Sequence, residues 1–442
     1  MSTARSSGMG WIDILRCGLV QTALGAIVVL TTSTYNRVMV VELALPAMVP
    51  GALVALHYAI QLSRPRWGYG SDMGARRTNW IIGGVAVLGI GAVLAAIATG
   101  WMQTAATAGM VLAVFSFVLI GAGVGAAGTS LLALLATQVD PARRAAAATI
   151  TWLMMILGIA VTATIAGKML DPFSPERLIA VAASIAGIAL LVTLLATWRL
   201  ERSNSFPADQ SEPSQKPPFR QVFAEVWAEP EARRFSIFVF VSMLAYNTQD
   251  LILEPFAGLV FGMTPGESTQ LTGVQHGGVF LGMILVALAG SSPLRRWIGS
   301  LKGWTVWGCI GSGVMMASLS LAGIVGPEFP LQITVFLLGL ANGAFAVAAI
   351  GSMMKLAGYG RPGREGIRMG VWGAAQALAF GIGGFMGTIL VDITQAVFRD
   401  PALAYGSVFA FEGVLFLISA ILAARIDSPD RPAQRFMAAP AE

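Results

Sequence analysis

The sequence predicts an all-α integral membrane protein, twelve transmembrane helices arranged as two six-helix halves, and three observations carry that expectation. Apolar residues fill 56% of the 442 positions and charged residues only 12%, with a mean hydropathy of +0.72; a soluble chain carries about 25% charged residues. Apolar runs close to the roughly 20 residues that a helix needs to cross a bilayer recur along the whole length. Charges fall in the gaps between those runs.

In order, the runs lie at roughly 15–35, 45–63, 79–100, 107–136, 146–168 and 178–198, then 235–256, 270–290, 303–325, 330–354, 369–391 and 404–425. Of the 28 Lys and Arg residues, all but Arg37, Lys168, Arg177 and Arg399 fall on one side of the membrane when both termini share that side. Cytoplasmic loops hold the excess of basic residues, so that side is expected to be the cytoplasm. The net charge of +5 then reflects topology and excludes nucleic-acid binding as its cause. MSTARSSGMGWIDILRCGLV runs into a full-length span without a small-residue cleavage pattern, so the first helix is expected to be retained. Cys17 and Cys309 lie within or at the edge of apolar runs, which reads as buried small hydrophobes rather than a disulfide framework or a zinc site.

One long polar interval, RLERSNSFPADQSEPSQKPPFRQVFAEVWAEPEARR, separates an N-terminal half (1–198) from a C-terminal half (235–442). The 199–234 linker is expected to be flexible at first from its Ser, Pro and charge content, and then FRQVFAEVW spaces Phe219, Val222, Phe223, Val226 and Trp227 as an amphipathic helix on the inner surface would. Six plus six helices around such a linker resemble the major facilitator superfamily, whose halves are related by an axis along the membrane normal. The loop RWGYGSDMGARR after the second run resembles the signature of that superfamily through Gly68, Asp72, Arg76 and Arg77. It departs from it in Met73, where a basic residue is expected, and in a glycine shifted to Gly74. A tight turn carrying an acid and arginines suits the bridging of helix ends, which is the role expected of Asp72, Arg76 and Arg77.

The seventh run, FSIFVFVSMLA, continues as YNTQDLILEPF, with Asp250 and Glu254 four residues apart. Counted from Phe235 at 1.5 Å per residue, Glu254 lies about 28 Å along, near the outer boundary of a core ~30 Å thick, and Asp250 lies about one turn deeper on the same face. The first run presents Asn36 and Arg37 at its equivalent end, followed by Glu42. The expectation is a polar cluster between the halves made of Asn36, Arg37, Glu42, Gln249, Asp250 and Glu254. In it Arg37 is held by Asp250 or Glu254, directly or through Gln249 and water, and Pro255 ends the helix. The alternative is a pair of acids solvated at a helix end.

The two histidines, His57 and His276, sit in the equivalent second and eighth runs. A neutral imidazole can ligate a metal, the magnesium of a chlorin included, or bond neighbouring helices. His57 is placed nearer the inner face and His276 nearer the outer, so one symmetric site is excluded. Glu412 is the most deeply placed acid, suited either to proton coupling or to a bond with a neighbouring helix. Glycine pairs such as Gly278 and Gly282 suit close helix contact or a flat ligand surface. No nucleophile with a base, aspartate-rich diphosphate site or phosphate loop is present, which argues against an enzyme.

Three stretches together resemble one family, the PucC and LhaA type proteins of photosynthetic bacteria, or bacteriochlorophyll delivery family. They are LRCGLVQTALGAIVVLTTSTYNRVMVVELALPA, RPRWGYGSD-GARR and AYNTQDLILEPFAGLVFGMTPGESTQLTGVQHGG. Within that family the chain is similar to the member associated with bacteriochlorophyll synthesis genes. The resemblance implies a non-enzymatic assembly factor in the photosynthetic inner membrane, with bacteriochlorophyll as bound cargo and His57 and His276 as candidate ligands. Implied partners are light-harvesting polypeptides, bacteriochlorophyll synthesis enzymes and membrane lipid. A major-facilitator transporter of a small solute remains the other reading.

Overall fold

The computed structural model describes residues 9–61, 63, 76–140, 143–201, 227–228, 230–291, 300–357 and 365–426. Among them, eleven helices are long and apolar enough to cross a membrane, and Met48–Gln61 is a shorter apolar helix. In chain order the first half consists of α1 (Trp11–Glu42), α2 (Met48–Gln61), α3 (Arg77–Trp101), α4 (Ala106–Gln138), α5 (Arg144–Leu170) and α6 (Pro175–Thr197). The second consists of α7 (Pro230–Asp250), α8 (Leu253–Phe261), α9 (Pro265–Ser291), α10 (Leu301–Val325), α11 (Leu331–Ala357), α12 (Glu365–Phe398) and α13 (Pro401–Ala424). Lipid-facing positions such as Val111, Leu195 and Ile324 remain exposed, as bilayer contact requires. Gly68, Asp72 and residues 219–226 of the amphipathic stretch that runs to Trp227 lie outside the described residues.

Two spans depart from the expected pattern. The first does not stop at Asn36–Arg37 but continues to Glu42, through π-helical turns at Leu30–Thr34 and Val38–Glu42. The hydroxyls of Thr31 and Thr32 both donate to the carbonyl of Val28, at 2.7 and 3.3 Å, competing with the backbone ladder where the first π turn opens. The seventh span does not end at Pro255 but breaks at Leu251–Ile252 and resumes as α8. Pro255 has no N–H to give to the carbonyl of Leu251, four residues earlier, so the ladder opens before the proline. Backbone groups inside a membrane protein need partners, and the chain therefore returns to helix at Leu253.

One apolar core is built chiefly from residues 235–426 and two others chiefly from residues 9–200. Val40 and Ala47 pack into the first of these, and Leu251 packs into a core of the other half. The halves thus exchange apolar side chains at one end of the bundle, where α1 ends and α2 begins, called here the far end. The glycine pairs serve helix contact: a Cβ on Gly278 or Gly282 would strike the carbonyls of Phe336 and Leu340 on α11.

Candidate functional site

The far end carries a polar cluster made from both halves. The first π turn of α1 directs Ser33 and Thr34 toward α8 and α9. Ser33 and Thr272 both donate to Glu254 Oε1, their own oxygens lie 3.0 Å apart, and Thr34 and Thr269 meet at 3.1 Å. One turn on, Asn36 Nδ2 donates to the carbonyl of Leu251 at 2.5 Å, replacing the donor that Pro255 lacks. Ser33, Thr34, Asn36, Glu254, Thr269 and Thr272 are all buried.

Arg37 is buried too, but its ion pair is with Glu42 of its own helix. It reaches the other half by donating to the carbonyl of Met263 at 2.6 Å. In an α-helix a residue five positions on is rotated about 140° away. The π winding from Val38 brings the fifth residue round to the same face, and Glu42 becomes the available carboxylate. This corrects the expectation that Asp250 or Glu254 holds Arg37 in an ion pair, while Arg37 still lies within electrostatic reach of Glu254. Gly258 makes room for the guanidinium, since a Cβ there would lie 3.0 Å from Nη2.

Nor does their four-residue spacing give Asp250 and Glu254 a common partner, because the helix break falls between them. Asp250 Oδ1 has no hydrogen-bond partner, and neither does either amide atom of Gln249, so Gln249 bridges nothing among the described residues. Asp250 instead lies within electrostatic reach of Glu412 on α13, whose two carboxyl oxygens are both buried and without hydrogen bonds.

Two carboxylates that sequence reasoning passed over flank this cluster. Asp171, after α5, accepts from Thr264 Oγ1 at 2.9 Å and from the N–H of Gly266 at 3.2 Å, at the start of α9. Asp392, on α12, accepts from the N–H groups of Ala47 at 2.8 Å and Met48 at 2.7 Å, at the start of α2. Fifth span onto eighth and eleventh onto second are equivalent pairings in the two halves, so the molecule repeats one device on both seams. A carboxylate satisfies the free N–H groups of a helix start and favours its positive dipole end. Gly266 is needed for that approach, because a Cβ would come 2.2 Å from Asp171 Oδ2. A readable signal was Thr264-Pro-Gly-Glu267, a capping box in which Thr264 N donates to Glu267 Oε2 at 2.9 Å and Glu267 N to Thr264 Oγ1 at 3.1 Å.

At the opposite end, Arg77 Nη1 donates to the carbonyl of Ala133 on α4 at 3.3 Å, and Arg76 precedes the first turn of α3. The carboxylate that caps α3 is Glu201, which accepts from the backbone N–H groups of Arg77 and Thr78 at 3.1 and 3.2 Å.

The two histidines differ in what they leave available. Gln61 Nε2 lies 2.8 Å from His57 Nε2 and can only donate, so that ring nitrogen is engaged. His276 Nδ1–H donates to the carbonyl of Thr272 at 3.0 Å, which leaves Nε2 as the lone-pair nitrogen. A chlorin magnesium with one axial nitrogen ligand therefore fits His276 and does not fit His57. No group of three or more His, Cys, Asp or Glu that could hold a metal ion occurs among the described residues.

The family model described as PUCC protein matches residues 34–430. The chain is 54% identical to "Bacteriochlorophyll synthase 44.5 kDa chain" of Rhodobacter capsulatus, over 94% of this chain and 95% of that protein. It is 30% identical to "Protein PucC" of Cereibacter sphaeroides, over 92% and 91%, and 28% identical to an "Uncharacterized protein in puhA-bchM intergenic region" of Rhodobacter capsulatus, over 93% and 88%. Among solved structures it resembles a D-xylose-proton symporter, with a TM-score of 0.71 at 14% identity over 94% of this chain and 97% of that one. It also resembles a bacterial homologue of the lysosomal transporter Spinster, with a TM-score of 0.64 at 15% identity over 93% and 95%. The fold is major-facilitator-like, shared with these two transporters, in a multi-pass membrane protein. By family the chain belongs to the PucC proteins.

Proposed function

We infer that this protein is a non-enzymatic membrane assembly factor that binds or delivers bacteriochlorophyll and assists assembly of light-harvesting antenna complexes. The observation that carries the reading is the near full-length similarity to a relative whose name refers to bacteriochlorophyll synthesis. His276 supports it as the histidine with a nitrogen suited to the pigment's magnesium, which the pigment itself would supply. Light-harvesting polypeptides and bacteriochlorophyll synthesis enzymes are the partners in this reading. It places the protein in the photosynthetic inner membrane with both termini cytoplasmic, so that the far end faces outward and is closed.

A second reading, a transporter of a small solute, draws on Asp250 and Glu412. Glu412 is a buried acid whose two carboxyl oxygens lack hydrogen-bond partners, and half-buried Asp250, with an unpaired Oδ1, lies within its electrostatic reach, which is what a proton-coupled carrier needs. Absorbance of the protein purified in mild detergent separates the two. Near-infrared bacteriochlorophyll bands at a fixed ratio to protein are expected for the assembly factor. Pigment-free protein that shows counterflow of a polar solute in vesicles would overturn that reading in favour of transport.

A further inference from the structure

The geometry points to a metallotetrapyrrole site on the seam between α5 and α9, with His276 Nε2 as axial ligand and the Trp152 indole N–H donating to an oxygen on the ring's edge. It rests on the pigment reading above and assigns residues to it. Three placements carry the assignment.

The first is the orientation of the imidazole. Metal-binding histidines commonly give their other ring N–H to a carbonyl, which fixes tautomer and ring direction. His276 does so toward Thr272 within its own helix. It is half-buried and shares a face of α9 with Thr269 and Thr272, both of which meet α1 across the halves. That face looks into the space between the halves, directly beneath the Glu254 cluster.

The second is Trp152. Its indole nitrogen is buried and has no hydrogen-bond partner among the described residues. An indole N–H is a donor with no other polar use, and one shut away from water is costly without an acceptor. Trp152 lies on the side of α5 between the part that meets α1 through Met155 and Gln21, at 3.3 Å, and the part that meets α9.

The third is register. A Cβ on Gly273 would touch Thr164 and the carbonyl of Ala160, so α5 and α9 run antiparallel with His276 near the level of Ile159 and Met283 near that of Trp152. Seven residues at 1.5 Å separate those levels by about 10 Å. That separation suits a macrocycle whose metal sits at one level and whose peripheral oxygen reaches the other. The surface between is apolar and only partly buried, formed by Met155, Ile159 and Phe280.

Purified, pigment-free protein is titrated with zinc bacteriopheophorbide and with its metal-free parent, and binding is followed by absorbance and by quenching of tryptophan emission. Wild type is expected to favour the zinc form by at least about tenfold, the scale typical of perturbed metal sites. His276→Leu should erase that preference while leaving the metal-free affinity unchanged, and Trp152→Phe should weaken both forms alike by about fivefold. In His276→Gly, added imidazole should restore the absorbance of the ligated zinc ring, which a packing role would not produce. A zinc preference that survives in His276→Leu, or equal losses for both forms, overturns the ligand assignment and leaves the pigment reading standing. Failure of folded wild-type protein to bind either ring overturns the pigment reading and the assignment with it.

Discussion

The first and seventh spans occupy equivalent places in the two halves and meet at the far end, yet each is made irregular by different chemistry. In α1 the hydroxyls of a TTST run compete for a backbone carbonyl and the helix widens without a break. In α7–α8 a proline withholds an N–H and the helix parts at Leu251. The widened helix keeps its backbone satisfied and supplies side-chain donors, whereas the parted helix exposes a backbone acceptor. The Asn36 to Leu251 bond joins one irregularity to the other. Corresponding rank in the chain therefore coexists with complementarity in chemistry, and neither span could close against a copy of itself in the same way.

The largest expected effect tests the side-chain donor half of that contrast. Arg37→Met removes a buried cation that serves Glu42 and the carbonyl of Met263 together. Loss of one partner from a buried ion pair costs about 3–5 kcal/mol; because Glu42 is partly exposed, the cost here should fall to about 2–3 kcal/mol. Denaturant unfolding in detergent measures it, and a loss below about 0.5 kcal/mol would mean that α1 does not depend on its widened turn to hold the arginine.

Next comes the bond between the two irregularities. Asn36→Leu leaves the carbonyl of Leu251 buried and unpaired, at about 1–3 kcal/mol. Pro255→Ala returns an N–H to that carbonyl, so in the Asn36→Leu background it should recover part of the loss, whereas in wild type it should add little. The double-mutant cycle reads the coupling directly, and strict additivity would break the link between the proline and the asparagine.

How much of this was legible follows from the same residues. Length, hydropathy and charge placement report burial in lipid, and these alone point to the helices and to two halves. The composition of the far-end cluster was also readable in part, because Asn36, Arg37 and Glu254 are polar residues inside apolar runs. Their partners were not. The pairing of Arg37 with Glu42 depends on a π turn, and local winding responds to tertiary contacts that hydropathy does not record. Pro255 was readable as a break, but its position relative to the break was misjudged, since the missing N–H acts four residues upstream of the ring. Asp171 and Asp392 stand singly near the ends of apolar runs, where an isolated acid looks solvated. Only the packing of another helix start against each gives it a role.

Glu254→Gln probes the centre of the closure with a smaller perturbation. An amide oxygen can still accept from Ser33 and Thr272, so the hydrogen bonds persist while their charge assistance is lost, at about 1 kcal/mol. Accessibility of a cysteine placed at Ala47, buried at the far end and using only its backbone N–H there, to a small thiol reagent, with Cys17 and Cys309 replaced, reports opening of the far end. Labelling that stays equally slow in Glu254→Gln and in Glu254→Leu would remove Glu254 from the closure.

The smallest effects belong to the two flanking carboxylates, and here the halves should behave alike where the spans at the centre did not. Asp171→Asn and Asp392→Asn each keep one acceptor oxygen and lose the second together with the negative charge at a helix start. That charge is worth about 0.3–1 kcal/mol. The contacts at stake differ in kind: Asp171 serves a hydroxyl and one N–H, and Asp392 serves two N–H groups. Asp392→Asn should therefore cost slightly more, because the one contact it loses is to an orphan backbone donor of α2 whichever oxygen is replaced, whereas Asp171→Asn can give up the Thr264 hydroxyl instead. The sites lie on separate seams and share no partner, so the double variant should equal the sum of the singles within about 0.5 kcal/mol. A cost in the double well beyond that sum would mean that each seam holds the other shut, and the far end would then be one cooperative gate rather than two independent clasps beside a central cluster.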